Sequence, residues 1–407
     1  MVIAAAVFIF KYAVNAPVVD EWDLTHVVLG GMTLGEWTFT RLNEHLFIPA
    51  NAAWYVIMKG SGLEFRAGMI VNLIAHVGAT IILLRTAHRL RGRSSIADLV
   101  LPALLLNWGH AYNLLMSYQI AFGLFAIFAA VMLWVIATAE VGREGHTANR
   151  ASLALLLLML NGGMGIALVP MLTLWIAVLA WRAKTALPFV LLAMALVYTA
   201  FALLGAPKVS ATPTESLPLE RVAWCVVQYL GMGTGLWYDG PHWPRNGRII
   251  AAVYIAVAIA LTVAMLRRRD GGRSAGFLAF LLGHFAIALG IALSRGGGIA
   301  ERYVTISAVG AAAAYLALVS LGPWPRWVTL AAAAFAMMLF AANVSPGSKY
   351  GHAHRSLYRD FERDLRDGMT AAELCDKYAK RLRVGSNLIP AIERLKTHGI
   401  REFGDAK

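Results

Sequence analysis

The residues of this chain that could do chemistry are few and unevenly placed. Asp20, Glu21 and Asp23 stand directly after the first apolar segment, and Asn43, Glu44 and His45 follow within the same stretch. A carboxylate at the edge of a membrane can take a proton from a hydroxyl, and partial desolvation tunes it for that work near neutral pH. Asp20 and Asp23 are three apart and share a face of a helical turn, whereas Glu21 points elsewhere. The same acids would equally suit a helix start, where the macrodipole favours negative charge. Much later, Arg295 and Arg302 bracket Gly296-Gly297-Gly298. A guanidinium fork matches phosphate oxygens, and a glycine run lets backbone approach a bulky head group. Snorkelling to lipid head groups is the plainer use of such arginines. Glu44, His45 and Gln119 are suited to positioning a sugar or the base. Glu44 and His45 would need two or three further ligands to hold a divalent cation, so no metal is assigned.

The elements that must position these groups are membrane helices. The chain has 407 residues, of which 59% are hydrophobic and 14% charged, and its mean hydropathy is +0.62. Apolar runs recur almost throughout, and in lipid every backbone amide needs an internal partner, so the expected fold class is all-α, a polytopic transmembrane protein. Segments suited to spanning lie near 1–16, 65–88, 97–115, 119–139, 151–162, 164–182, 186–204, 247–267, 275–294, 303–321 and 327–343, about eleven spans. Residues 1–16 are short and carry Lys11, which suggests that a few residues precede them. The stretch 151–182 is long for one span and short for two, and fits a hairpin of abbreviated helices around Asn161-Gly162-Gly163. Short-loop Lys and Arg then place the N-terminus in the cytoplasm. Residues 17–64 become a first outer loop with interfacial helices, and 206–246 a second, with Trp224, Tyr229, Trp237 and Tyr238 at the interface. Residues 1–344 form the membrane domain, and 345–407 a small helical tail on the outer side. In that tail Asp360, Asp364 and Asp367 alternate with Arg359, Arg363 and Arg366 as a solvated face.

The formal charge of +13 reflects loop charges that set orientation and contact anionic lipid, rather than nucleic-acid binding. Cys225 and Cys375 make neither a disulfide framework nor a metal spacing. His76 and His284 are expected as hydrogen-bonded helix residues, and Asn72 as a helix-joining one. With this orientation Asp20, Glu21, Asp23, Asn43, Glu44, His45, Asn107, His110, Tyr112, Asn113, Tyr118, Gln119, Asn161, Arg295, Glu301 and Arg302 collect on one side of the membrane.

Taken in order, Asp20-Glu21-Trp22-Asp23, Asn43-Glu44-His45, the Asn113 to Gln119 stretch, Asn161-Gly162-Gly163-Met164-Gly165, Ser294-Arg295 and Arg302-Tyr303 form a pattern. Together with a tail ending in Leu395 to Phe403, it resembles the GT-C superfamily of polyprenyl-phosphate-sugar glycosyltransferases, and within it a poorly characterised bacterial group. Members of that group often carry Arg after the Asn-Glu-His and Glu before the Asn-Leu-Leu, where this chain has Leu46 and Tyr112. The resemblance implies a lipid-linked sugar donor, a first-loop carboxylate as catalytic base (Asp20 or Asp23, with Glu21 beside them), and reaction at the periplasmic face of a bacterial inner membrane. Asn43, Glu44, His45, Gln119, Arg295, Arg302 and Tyr303 would then bind substrate. The acceptor would be an envelope glycan, lipid or protein. The rival expectations are a transporter or flippase for a lipid-linked glycan, which should place polar residues deep within several spans, and a non-catalytic envelope-assembly protein.

Overall fold

The computed structural model describes residues 1–42, 45–204, 218–235, 245–268, 270, 272–294, 299–384, 388–400 and 403. Among them there is no β-strand, only two isolated bridges, and the fold is all-helical. After α1 (Val2–Tyr12) come three short helices, α2 (Glu21–Leu29), α3 (Leu34–Thr38) and α4 (Ile48–Gly60), then the long α5 (Phe65–Arg91). A broken stretch holds α6 (Val100–Leu105) and α7 (Ala111–Leu114), and is followed by α8 (Ile120–Ala137), α9 (Glu144–Met159), α10 (Gly163–Ile166), α11 (Val169–Ala183) and α12 (Leu187–Leu204). The rest of the bundle is α13 (Leu219–Met232), α14 (Arg245–Leu266), α15 (Arg273–Ser294), α16 (Val304–Ser320) and α17 (Arg326–Arg366), with α18 (Ala371–Leu382) and α19 (Leu388–Thr397) closing the chain.

Among the described residues five helical stretches are long and apolar enough to cross a membrane: Phe65–Arg91, Ser117–Ala137, Arg273–Ser294, Glu301–Ser320 and Arg326–Arg366. Shorter apolar helices accompany them at Val2–Tyr12, Val169–Ala183, Leu187–Ala202 and Ala251–Leu266. The segment 97–115, expected to span, is instead broken into short α and 3-10 pieces. Asn107 is the physical reason. Its Nδ2 donates to the carbonyls of Ala103 and Leu104, and its Oδ1 accepts from Gly109 N, so a side chain takes bonds that a continuous helix would make itself. Over 151–182, α9 and α11 are separate helices that pack against each other.

The first loop is folded into the protein. Trp37 and Trp54, residue types that suit an interface, are 1% exposed. Trp37 Nε1 donates to Asn51 O at 2.9 Å and Trp54 Nε1 to Ser117 Oγ at 2.9 Å, so both indoles are satisfied inside protein. In α13, Cys225 and Tyr229 are likewise buried, and the helix packs on α14, α15 and α16. Trp237 and Tyr238 lie outside the described residues.

The boundary expected at 344–345 falls inside α17, a single helix of 41 residues, about 60 Å long at 1.5 Å per residue. That is about twice the hydrocarbon thickness. Gly347 and Gly351 let α17 approach its neighbours: a Cβ at either would overlap Trp108 or the Tyr12 ring. The far half of α17, with α18 and α19, then packs back onto α2. Phe361 and Phe403 flank Trp22 edge-on at 5.5 and 6.1 Å, Tyr358 donates to Pro17 O at 2.8 Å, and Arg394 to Thr25 Oγ1 at 2.9 Å. Asp364, expected on a solvated face, is instead buried and accepts from Tyr378 OH at 2.6 Å and Lys377 Nζ at 2.5 Å. It ties α17 to α18.

Because α18 and the first loop share one end of the molecule, cysteines at both must face the same compartment. In a Cys225→Ala, Cys375→Ala background, Gly35→Cys and Asp376→Cys, both at exposed positions, are expected to react with a membrane-impermeant thiol reagent from the same side of sealed vesicles. Labelling from opposite sides would refute this packing.

Candidate functional site

Glu21 fixes the geometry of the site without lining it. Its carboxylate is fully buried and accepts from Val18 N at 2.8 Å, Tyr118 N at 2.7 Å and Ser117 Oγ. Ser117 in turn accepts from Trp54. One side chain therefore binds the start of α2 to the turn that opens α8. Glu21 was expected among the catalytic acids, and its placement corrects that: no face of the carboxylate opens to the cleft, and its acceptor capacity is spent on backbone and Ser117. Burial raises its pKa to about 7 against the pull of those three donors.

Val19 makes the turn that allows this. It sits at φ 49°, a left-handed conformation that is costly for a β-branched residue and that persists where surrounding contacts over-determine it. With Val18 N turned towards Glu21, Asp20 and Asp23 come out on the other face of α2. Asp20 stands at the N-cap of α2 yet makes no side-chain capping bond, so the helix-start role available to it is unused.

Asp20 and Asp23 line a cleft of about 140 Å³ together with His45, Gln119, Arg302 and Tyr303. A volume of this order accepts roughly one six-membered ring. Arg302 Nη1 lies 3.5 Å from Asp20 Oδ2, with the arginine mostly covered and the aspartate half exposed. Such a long, partly exposed pair stabilises little by itself, and the planar guanidinium keeps donors for another oxyanion. Its carbon lies 5.8 Å from the Tyr303 ring centroid. Gln119 is 3% exposed; its Nε2 reaches Met116 Sδ at 3.0 Å, and its covered Oε1 has no hydrogen-bond partner among the described residues. Gln119 lines the cleft, and a side-chain rotation that uncovers this oxygen would give a ligand hydroxyl an acceptor.

The Asn161-Gly162-Gly163 stretch carries the opposite wall. Phe47 pairs with Asn161 as an isolated bridge, and Ile48 N donates to Leu160 O at 3.2 Å. Gly162, at φ 80°, has the Phe47 ring where a Cβ would be, and Gly163 has the His45 ring. The glycines bring the first loop close enough for His45 to reach the cleft. Asn43, Glu44 and Arg295 lie outside the described residues.

Behind Arg302 sits a buried polar knot that sequence reasoning did not assemble. Asn113 Nδ2 donates to Arg302 O at 2.9 Å and to Thr305 Oγ1 at 2.7 Å. His76 Nε2 and His110 Nδ1 face the same Thr305 oxygen at 3.1 and 3.0 Å, while their other nitrogens face the carbonyls of Asn72 and Leu104. Each ring must donate to its carbonyl, so each presents a lone pair to Thr305, whose single O–H serves one of them. His76 is thus a hydrogen-bonded helix residue. For His284 neither ring nitrogen has a hydrogen-bond partner among the described residues; it lies 5.4 Å from the Tyr229 ring, over Gly310.

Among the described residues no three His, Cys, Asp or Glu side chains are grouped to hold a metal ion. Comparison with protein-family models, curated proteins and solved structures finds no match to this chain.

Two outcomes test this construction. Glu21 has its folded-state pKa raised from 4.5 to about 7, so its contribution is fully present below pH 4.5 and lost as pH rises through 7. Glu21→Gln should lower thermal stability by about 1–3 kcal/mol, because an NH₂ then meets a donor, and should flatten the melting temperature between pH 5 and 8. A variant as stable as the parent, with an unchanged pH profile, would contradict the assigned role. Thr305→Val should cost about 1–3 kcal/mol by orphaning Asn113 and an imidazole, read as a drop in unfolding temperature; no drop would mean the knot carries no stability.

Proposed function

We propose that this protein is a membrane glycosyltransferase of GT-C type, moving a sugar from a polyprenyl-phosphate donor to an envelope acceptor. The supporting observation is that Asp20 and Asp23 line the same cleft as Arg302, with Gln119 on its wall. In this reading Asp20 or Asp23 takes the proton from an acceptor hydroxyl. The freed oxygen attacks the anomeric carbon with inversion, the bond from that carbon to the phosphate oxygen breaks, and Arg302 holds the departing lipid phosphate as its charge develops. Gln119, His45 and Tyr303 position the sugar. The cleft volume suits one sugar ring, and the polyprenyl chain would leave along the apolar helices.

About eleven spans, interfacial helices in the first loop and a periplasmic site remain parts of this proposal. The distribution of charge supports the orientation. The cleft residues stand at one end of α16, while Tyr315, about 20 Å further along that helix, meets the Arg91–Asp98 ion pair. Arg89, Arg93 and Arg326 are near that opposite end in the sequence, as a cytoplasmic face requires. Against a transporter, Asn72, His76, His110, Asn113 and Thr305 hydrogen-bond one another inside the bundle and do not line the cleft.

The purified protein, given radiolabelled polyprenyl-phosphate sugars and a membrane extract as acceptor source, should release lipid phosphate. The double variant Asp20→Asn, Asp23→Asn should slow release by about 10²–10⁴-fold, and Arg302→Ala by about 10²-fold or more, with unfolding temperatures near the parent's. Full activity in the double variant would rule out the base. Lipid translocation without phosphate release would favour the transporter, and neither activity the assembly partner.

A further inference from the structure

On the other side of the Val19–Asp20 peptide lies a second cavity, of about 170 Å³. Its walls include Val19, Tyr112, Tyr350, His354, Arg381 and Arg383. They come from the first loop, from α7, from the far half of α17 and from the end of α18, so this cavity exists only because the C-terminal helices fold back onto α2.

Three observations mark it as built for a ligand. His354 lines the cavity, is 8% exposed, and its covered Nε2 has no hydrogen-bond partner among the described residues; a buried nitrogen left unpaired on a cavity wall keeps one hydrogen bond available once a ligand displaces the contacts that cover it. Arg383 caps α18 in the left-handed conformation at φ 57°, where glycine or asparagine is usual. Together with Val19 at φ 49°, two of the cavity's residues are side-chain-bearing residues held in a region they avoid, a pattern found at ligand sites. The charge is lopsided: Arg383 reaches Glu301 at 3.4 Å, whereas Arg381 lies 5.5 Å from the Tyr378 ring. Among the described residues that line the cavity, Arg381 and Arg383 bring positive charge and no carboxylate is present.

We propose that this cavity binds the anionic group, phosphate or carboxylate, of the second substrate, the one that brings the attacking hydroxyl. Arg381 and Arg383 supply forked donors at the mouth, His354 Nε2 gives one further polar contact, and the aromatic faces of Tyr112 and Tyr350 take the carbon frame. Val19 belongs to this cavity and Asp20 to the cleft. A molecule anchored at Arg383 then presents its hydroxyl across one peptide bond to the carboxylate. The role of second substrate rests on the transferase reading; the binding of an anion here does not.

The test uses the full-length protein in detergent micelles, titrated calorimetrically with inorganic phosphate and with glycerol 1-phosphate. Saturable binding is expected for both, tighter for glycerol phosphate. The double variant Arg381→Gln, Arg383→Asn changes two exposed side chains and keeps a residue that tolerates the left-handed cap; it should weaken binding at least tenfold. His354→Phe, which keeps the ring volume, should weaken it about threefold or more, and the double variant should lose binding to the same degree in an Arg302→Gln background, which removes phosphate held in the first cleft. Absence of saturable binding by the parent, or a double variant within twofold of it, overturns the proposal. If Arg302→Gln abolishes binding and the double variant does not, the anion belongs to the first cleft: the proposal falls while the transferase reading stands. Binding that depends on Arg381 and Arg383 in a protein showing no sugar transfer would overturn the second-substrate role and leave the anion site.

Discussion

The buried carboxylate of Glu21 is the interaction on which the rest of the site depends. A carboxyl group withdrawn fully from water is expensive to keep unless donors converge on it. Here three do, from Val18, Ser117 and Tyr118. Those donors belong to the two segments that must meet for the cleft to exist, the start of α2 and the turn before α8. The left-handed Val19, the outward direction of Asp20 and Asp23 and the closeness of Arg302 follow from that junction. Burial and function are thereby divided between neighbours: Glu21 gives up contact with solvent so that Asp20 and Asp23 can keep it.

Much of this was legible in the sequence. The helical class followed from composition, and the separate faces of Glu21 and of Asp20 with Asp23 followed from their spacing. What spacing could not reveal was which face turns inward. A cluster of three acids in a very apolar chain reads as three candidates, and only the strained turn at Val19 decides among them. Arg302 was distinguishable as a basic residue on the same side as the acids and as their expected counterpart, and it lies 3.5 Å from Asp20. The break in 97–115 was missed because hydropathy averages over a window, and Asn107 acts through bonds to specific carbonyls that no average contains. The Thr305 knot was missed for a related reason: threonine in an apolar helix is ordinary, and its importance comes from three residues converging on one oxygen from other elements.

In the tail Arg359, Arg363, Arg366 and Asp367 are exposed as expected, and Asp364 is the exception. Alternating Asp and Arg at helical spacing satisfies a solvated face, but the same charges serve equally to dock one helix on another, and periodicity does not separate the two. Asp364 is held by Tyr378 and Lys377, and Phe361, inside the same charged stretch, packs on Trp22. The unit boundary placed near residue 344 falls inside α17, which passes through it without interruption while its composition changes from apolar to charged.

The contact between the two ends of the chain also bears on biogenesis. Tyr358 and Pro17 are 341 positions apart, and Arg394 and Thr25 are 369 apart. At ribosomal rates of about 5–20 residues per second, the first loop emerges tens of seconds before the helices that cover Trp22 are made. Throughout that interval the aromatic face of α2 has no native partner. The maturing protein must therefore insert its helices in series while its earliest loop waits incomplete, and the end that carries the cleft is completed by the segment farthest from it in the chain.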